Sequence, residues 1–222
     1  MCYHTQQRSD AARLKARFQA QLAGNAGALP QGPQSGFDHP RLPVITAGEP
    51  GVIRLVEWGL IPAWAPAERA SALANQTLNA RAESLFDKPS FRQSILSRRC
   101  LVLVDGFFEW QHIGPHKTKY LLTVEGEGPF ALAGLWDEWR DASAGDVRRT
   151  FSVVTTEANP LMARIHNTKR RMPLMLTGEG EAAWLTPTLT PAQIRDLMVP
   201  FPENRMRAQP LTAAPSQWNL FG

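Results

Sequence analysis

Cys2 is the residue of this chain with the sharpest reactive chemistry. A side chain this small at the second position is what methionine aminopeptidases accept. Removal of Met1 would leave an α-amine and a thiol on adjacent carbons. The amine titrates near ~7.7–8.0 and a free thiol near ~8.5, so both are partly reactive at neutral pH. Such a 1,2-aminothiol condenses with an aldehyde to an imine, and the thiol then closes on the same carbon as a thiazolidine ring. The alternative is that Cys2 is merely the second residue of a frayed terminus. The other cysteine, Cys100, precedes the apolar run Leu101 to Val104 and reads as core packing.

Acid–base groups follow further along. Leu103 to Trp110 (LVDGFFEW) sets Glu109 at the end of an apolar strand, among aromatic residues. Partial desolvation there would raise its pKa towards acid–base duty. An edge carboxylate paired with an arginine is the competing reading. Asn79 to Glu83 (NARAE) is a polar cluster that also reads as a solvated helix start. His166 stands just before the basic run Lys169-Arg170-Arg171, which suits either phosphate or plain solvent. His112 and His116 are separated by Gly114-Pro115 and cannot share a helix face, and Cys2 with His4 lacks a cysteine pair to complete a zinc site. No metal or cofactor is therefore expected. P-loop, dinucleotide and G-x-S-x-G signatures are missing.

These groups need a scaffold. At 222 residues, with 43% hydrophobic and 20% charged, the chain suits one large domain or two small ones. Its net charge of +4 permits an anionic partner without demanding one. Two cysteines make no disulfide framework, which favours a reducing, cytoplasmic setting. Neither a leader nor an apolar run of membrane-spanning length is legible.

Ser9-Asp10 opens a helix over Ala11 to Leu22, with Leu14, Phe18 and Leu22 on one face and Gly24 as its stop. The Gly- and Pro-rich stretch from Gly24 to Pro43 reads as a long loop. Val52 to Val56, Leu101 to Val104, Tyr120 to Val124, Phe130 to Trp136 and Leu174 to Leu176 read as strands, and Pro62 ends any ladder running through Trp58 to Ile61. Asp141 to Asp146 reads as the turn joining Trp136–Trp139 to Phe151–Val154. Asn159-Pro160 and Thr190-Pro191 each open a helix, through Ile165 and Leu197. Of the seven tryptophans most read as core, and Trp64 is the candidate for stacking on a base. The pattern predicts one α+β domain over residues 1–222, built on mixed or antiparallel sheet with peripheral helices.

In order along the chain stand Met1-Cys2, Trp58 to Pro62 (WGLIP), Asn79 to Glu83, Asp105 to Trp110 (DGFFEW), Ala133 to Trp136 (AGLW), and Thr155 to Asn159 with His166 and Arg171-Met172-Pro173. Together they resemble the SOS-response-associated peptidase (SRAP) family across residues 1 to about 175. The resemblance implies a β-rich, barrel-like core and covalent capture of abasic sites in single-stranded DNA through Cys2. It implies that Asn79 orients the Cys2 end and the sugar, that Glu109 acts as acid–base, and that His166 donates to the sugar or phosphate. Arg81, Trp64 and Arg171 are the implied DNA contacts. A monomer acting at the nucleoid, with weak lyase activity, is the corresponding expectation. A cysteine peptidase acting on its own first bond or on other proteins is the alternative. Many members begin Cys-Gly-Arg where this chain has Cys2-Tyr3-His4, so a bulkier and a titratable residue follow the nucleophile.

Overall fold

A computed structural model describes residues 2–126, 128–141, 145–176 and 178–211. Five strands close on themselves. Val147–Glu157 pairs with Phe130–Arg140, which pairs with Arg99–Val104, then Arg41–Thr46, then Glu49–Trp58. A short parallel pairing, Thr150 with Glu57 and Phe151 with Trp58, returns to the first strand and closes the barrel. Closure removes the edges that would otherwise template aggregation. A second, antiparallel sheet runs in the order Met206–Leu211, His116–Val124, Gly106–Ile113, His4–Gln7 and Gly32–Ser35. The chain is thus an α+β domain, as the pattern predicts, and its five-stranded barrel is what the resemblance implies.

Arg99–Val104 is buried along its whole length, and its side chains alternate between two cores. Cys100, Val102 and Val104 join a core with Trp58, Phe107, Phe151 and Cys2. Leu101 and Leu103 join a core with Leu14, Ile95, Trp184 and Ile194, which lie on helices. The N-terminal segment is therefore built into the molecule rather than frayed: Cys2 is 0% exposed.

Several local expectations change. The first helix is Ala11–Phe18, ended by Gln19 in the left-handed conformation, and Gln21–Leu22 then pairs in parallel with Val52 and Ile53. Its stop is thus a non-glycine residue five positions before Gly24. The predicted loop from 24 to 43 contains the strand Gly32–Ser35 and the start of Arg41–Thr46, because both find partners remote in sequence. Asn79–Arg81 is a strand, parallel to Val153–Thr155, and not a helix start. The turn between Arg140 and Val147 joins the expected strands, with residues 142–144 outside the described set. Asn159 caps Pro160–Ile165 by accepting from the Met162 amide, and Thr190 forms a capping box with Gln193 at Pro191–Asp196. Trp58, Trp139 and Trp184 are buried, while Trp64 is 49% exposed; Trp218 lies outside the described residues. Among the described residues no helix is long and apolar enough to cross a membrane.

Candidate active site

The strand that follows Cys2 lies inside the second sheet. Thr5 and Gln6 pair with Phe107 and Gly106, so the chain before Thr5 runs towards Glu109 on the neighbouring strand. Asp105 fixes this arrangement by accepting from the Arg8 amide at 2.6 Å, the Ser9 amide at 2.8 Å and the Ser9 hydroxyl at 2.5 Å. Gly106 permits it: a Cβ there would meet Leu121 Cδ1 at 2.8 Å and the Leu122 carbonyl at 3.0 Å. Within DGFFEW, then, Asp105 and Gly106 are scaffold.

Burial controls the ionisation of this centre. Glu109 is 5% exposed, and desolvation lifts its carboxyl to about 7, with the Trp110 amide opposing the rise. Desolvation also pushes the Cys2 thiol well above its usual range, and the charge of Glu109 adds to that rise. The thiol is thus held protonated, its Sγ 4.0 Å from the His4 carbonyl. His166 Nδ1 lies 3.7 Å from Glu109 Oε1. Burial lowers the His166 pKa, partly offset by its hydrogen bond to the Arg171 carbonyl. That bond, from Nδ1 at 2.8 Å, fixes the tautomer of the neutral ring: Nδ1 carries the proton and Nε2 is the acceptor.

His166 is positioned from two directions. Asn167 donates to the His112 carbonyl at 2.7 Å and accepts from the His112 amide at 3.2 Å, which pins the turn after the helix to the strand bearing Glu109. Arg171 donates to both carboxylate oxygens of Glu83, at 2.7 and 2.9 Å, and to the carbonyl and hydroxyl of Thr155. Both Nη atoms are thus bonded within the protein, while Nε is buried with no partner among the described residues. Nothing in the sequence signals Asn167, whose partner lies 55 residues away.

The candidate residues line two cavities. One, of about 370 Å³, is lined by Tyr3, His4, Glu109, His166, Lys117 and Lys169 among others. The second, of about 560 Å³, is lined by Asn79, Arg81, Lys88 and neighbours. Burial raises the pKa of Tyr3, which lines the first, and the charge of Arg81 opposes that rise. Both amide atoms of Asn79 are buried with no hydrogen-bond partner among the described residues. Leaving a buried amide unpaired is costly, which singles Asn79 out as a candidate binding residue. Arg81 is exposed at the same cavity. Cys2, Glu109 and His166 therefore share one centre, while Asn79 and Arg81 line the second cavity. The described residues hold no cluster of three or more potential metal ligands.

The remaining motifs support this geometry. Trp58 Nε1 donates to the Leu78 carbonyl at 2.8 Å, just before Asn79. Gly59, at φ +115°, leaves no room for a side chain: a Cβ would lie 2.7 Å from His39 Nδ1.

The sequence model of the SOS response associated peptidase (SRAP) family matches residues 1–215. Over 170 residues the chain is 38% identical to Abasic site processing protein YoqW of Bacillus subtilis, covering 75% of this chain and 72% of that protein. Abasic site processing protein HMCES of Xenopus tropicalis is 29% identical over 153 residues, which is 60% of this chain and 45% of that longer protein. A solved protein from Bacteroides thetaiotaomicron superposes with a TM-score of 0.91 at 39% identity, covering 95% of this chain and 92% of the other. One from Bordetella bronchiseptica shares the fold, with a TM-score of 0.82 at 24% identity over 96% of this chain and all of the other.

Proposed function

Since the chain belongs to the SOS response associated peptidase (SRAP) family, we propose that it captures abasic sites in single-stranded DNA through Cys2 once Met1 is removed. Relatives named abasic site processing proteins support the substrate class. The observation that carries the chemistry is a fully buried Cys2 on the segment paired with the strand of Glu109, whose carboxyl lies 3.7 Å from His166.

An abasic sugar is mostly a closed hemiacetal, and opening it needs one base and one acid. His166 Nε2 takes the proton of the C1′ hydroxyl while Glu109 gives a proton to the ring oxygen. The C1′–O4′ bond breaks and C1′ becomes an aldehyde. The proton returns from His166 to Glu109. The α-amine then adds to C1′ and passes one proton to its oxygen, and the hydroxyl leaves as water with the proton of Glu109, giving the protonated imine. Finally the thiol sulfur bonds to C1′, and its proton returns to Glu109 as the nitrogen keeps its own. The sum is one aldehyde plus one aminothiol to one thiazolidine plus water. Holding the thiol protonated until the imine forms suits this order. Glu109 serves as the donor here, because the neutral tautomer of His166 offers an acceptor. Asn79 meets the sugar hydroxyls, Arg81 a phosphate, and the exposed Trp64 a base. Slow β-elimination from the imine would give weak lyase activity.

A cysteine peptidase would use the same three residues but needs a ready thiolate. Burial works against one at Cys2, which favours the aldehyde reading. The test is a denaturing gel of the protein with a single-stranded oligonucleotide carrying one abasic site. A heat-stable shifted band without borohydride is expected. Its absence, with peptide turnover instead, overturns the proposal.

A further inference from the structure

Of the large apolar side chains exposed among the described residues, only Phe37 and Trp64 are aromatic, and Phe37 is 54% exposed. Its ring lies 4.9 Å from that of Tyr3, centroid to centroid, at 31°. Tyr3 in turn borders the cavity that holds Glu109 and His166. An exposed aromatic side chain is thus fixed one residue contact from the reactive centre.

The turn that presents it is stiff. Phe37 sits in the single helical turn Gly36–Asp38, whose Gly36 amide donates to the Tyr3 carbonyl at 2.8 Å. Ser35 caps the turn by accepting from the Phe37 amide. Gly36 lies flat on Trp58, where a Cβ would stand 3.2 Å from three indole atoms. His39 ends the turn at φ +49°, a left-handed conformation held by Nδ1 bonded to the Trp58 carbonyl at 2.7 Å. A ring held this firmly loses little freedom when something packs on it.

Charge selects what that something is. Asp38 adjoins Phe37, and its field reaches His4 at the same lip. A carboxylate there repels a backbone phosphate. Lys117 and Lys169 line the cavity itself and attract one. We infer that Phe37, backed by Tyr3, is a stacking platform for the nucleobase next to the abasic sugar, while the flanking phosphate lies over the lysines. Base–aromatic stacking accepts any base, because each has a π face. The inference rests on the abasic-DNA reading above and names the strand contact that would deliver the sugar to Cys2.

The test uses an oligonucleotide with one abasic site flanked by 2-aminopurine, whose fluorescence is quenched on stacking. Wild type should quench it on binding, and Phe37→Ala should not. Half-saturation for crosslinking should rise about tenfold in Phe37→Ala, with the rate at saturating DNA unchanged. Phe37→Trp should restore both readouts, and Phe37→Leu should restore neither fully. When the flanking bases are replaced by baseless spacers, wild type and Phe37→Ala should become equal. Equal quenching and equal half-saturation on the base-flanked strand overturn the platform while leaving capture intact. Quenching without any crosslink in wild type overturns the capture reading and leaves the platform standing.

Discussion

Glu109 Oε1 and His166 Nδ1 lie 3.7 Å apart, and burial reverses their ordinary order of protonation. A carboxyl normally releases its proton well before an imidazolium does. Here desolvation raises Glu109 to about 7 and lowers His166. Near neutral pH the proton therefore favours the acid over the imidazole. This gives one donor and one acceptor side by side, the pairing that hemiacetal opening and imine formation both need.

Stability should record the burial of Glu109. Its folded pKa of about 7 exceeds the unfolded value, so the unfolded chain binds fewer protons between those two pH values. Stability from this group is complete below about pH 4.5 and is lost as pH rises through about 7. The loss amounts to about 3 kcal/mol. Denaturant midpoints of Glu109→Gln should lack that fall between pH 4.5 and pH 8. The same variant should slow crosslinking by ~10²-fold or more. Parallel pH profiles for wild type and variant would show that Glu109 is solvated.

The amine and the thiol of Cys2 must both be available. Cys2→Ser should abolish the permanent crosslink and spare reversible DNA binding. A tag fused ahead of Cys2 should do the same while leaving the thiol in place. Crosslinking should return when a protease exposes Cys2, and intact-mass spectrometry should find active protein without Met1. Full activity in protein that retains Met1 by mass contradicts the aminothiol mechanism.

Arg81 and Arg171 should separate in a salt titration. Arg81 is exposed at its cavity, so Arg81→Ala should flatten the log–log salt slope on single strands by about 0.7. Arg171 is bonded to Glu83 and Thr155. Arg171→Ala should leave the slope unchanged, lower stability by about 2 kcal/mol and slow capture by loosening His166. A flattened slope in Arg171→Ala would identify it as a phosphate contact after all.

Cys100 is 0% exposed, and its Sγ would stand 2.8 Å from a Cβ added at Gly134. Cys100→Ser buries a hydroxyl among Val102, Leu132 and Val153. It should cost about 1–3 kcal/mol of stability and leave the final crosslink yield intact below the melting temperature. A lost crosslink in folded Cys100→Ser would give this thiol a part in the chemistry.

What the sequence made legible follows from how local each signal is. The helix caps at Asn159 and Thr190 and the strands around Leu101 and Phe130 depend on neighbours in sequence, and they were readable. Glu109 was readable as a desolvated acid because its strand is apolar on both sides. The strand Gly32–Ser35 was hidden because its only cue is a partner, His4–Gln7, that no local rule supplies. The barrel closure between Phe151 and Trp58 is hidden for the same reason. The bonds of Arg171 to Glu83 and Thr155 were illegible because those residues are remote in sequence. A basic run reads as solvated or phosphate-binding until its partners are known.

The seating of Cys2 has a consequence for synthesis. One neighbour of the strand His4–Gln7 is Gly32–Ser35, but the other is Gly106–Ile113, made roughly a hundred residues later. The thiol cannot be sealed until that second strand has left the ribosome. At about 5–20 residues per second, the start of the nascent chain stays accessible for about 5–20 s. An aminopeptidase acting during translation has that interval to remove Met1. A chain that folds before processing seals the Cys2 thiol first, and slowing translation should raise the fraction of processed, active molecules.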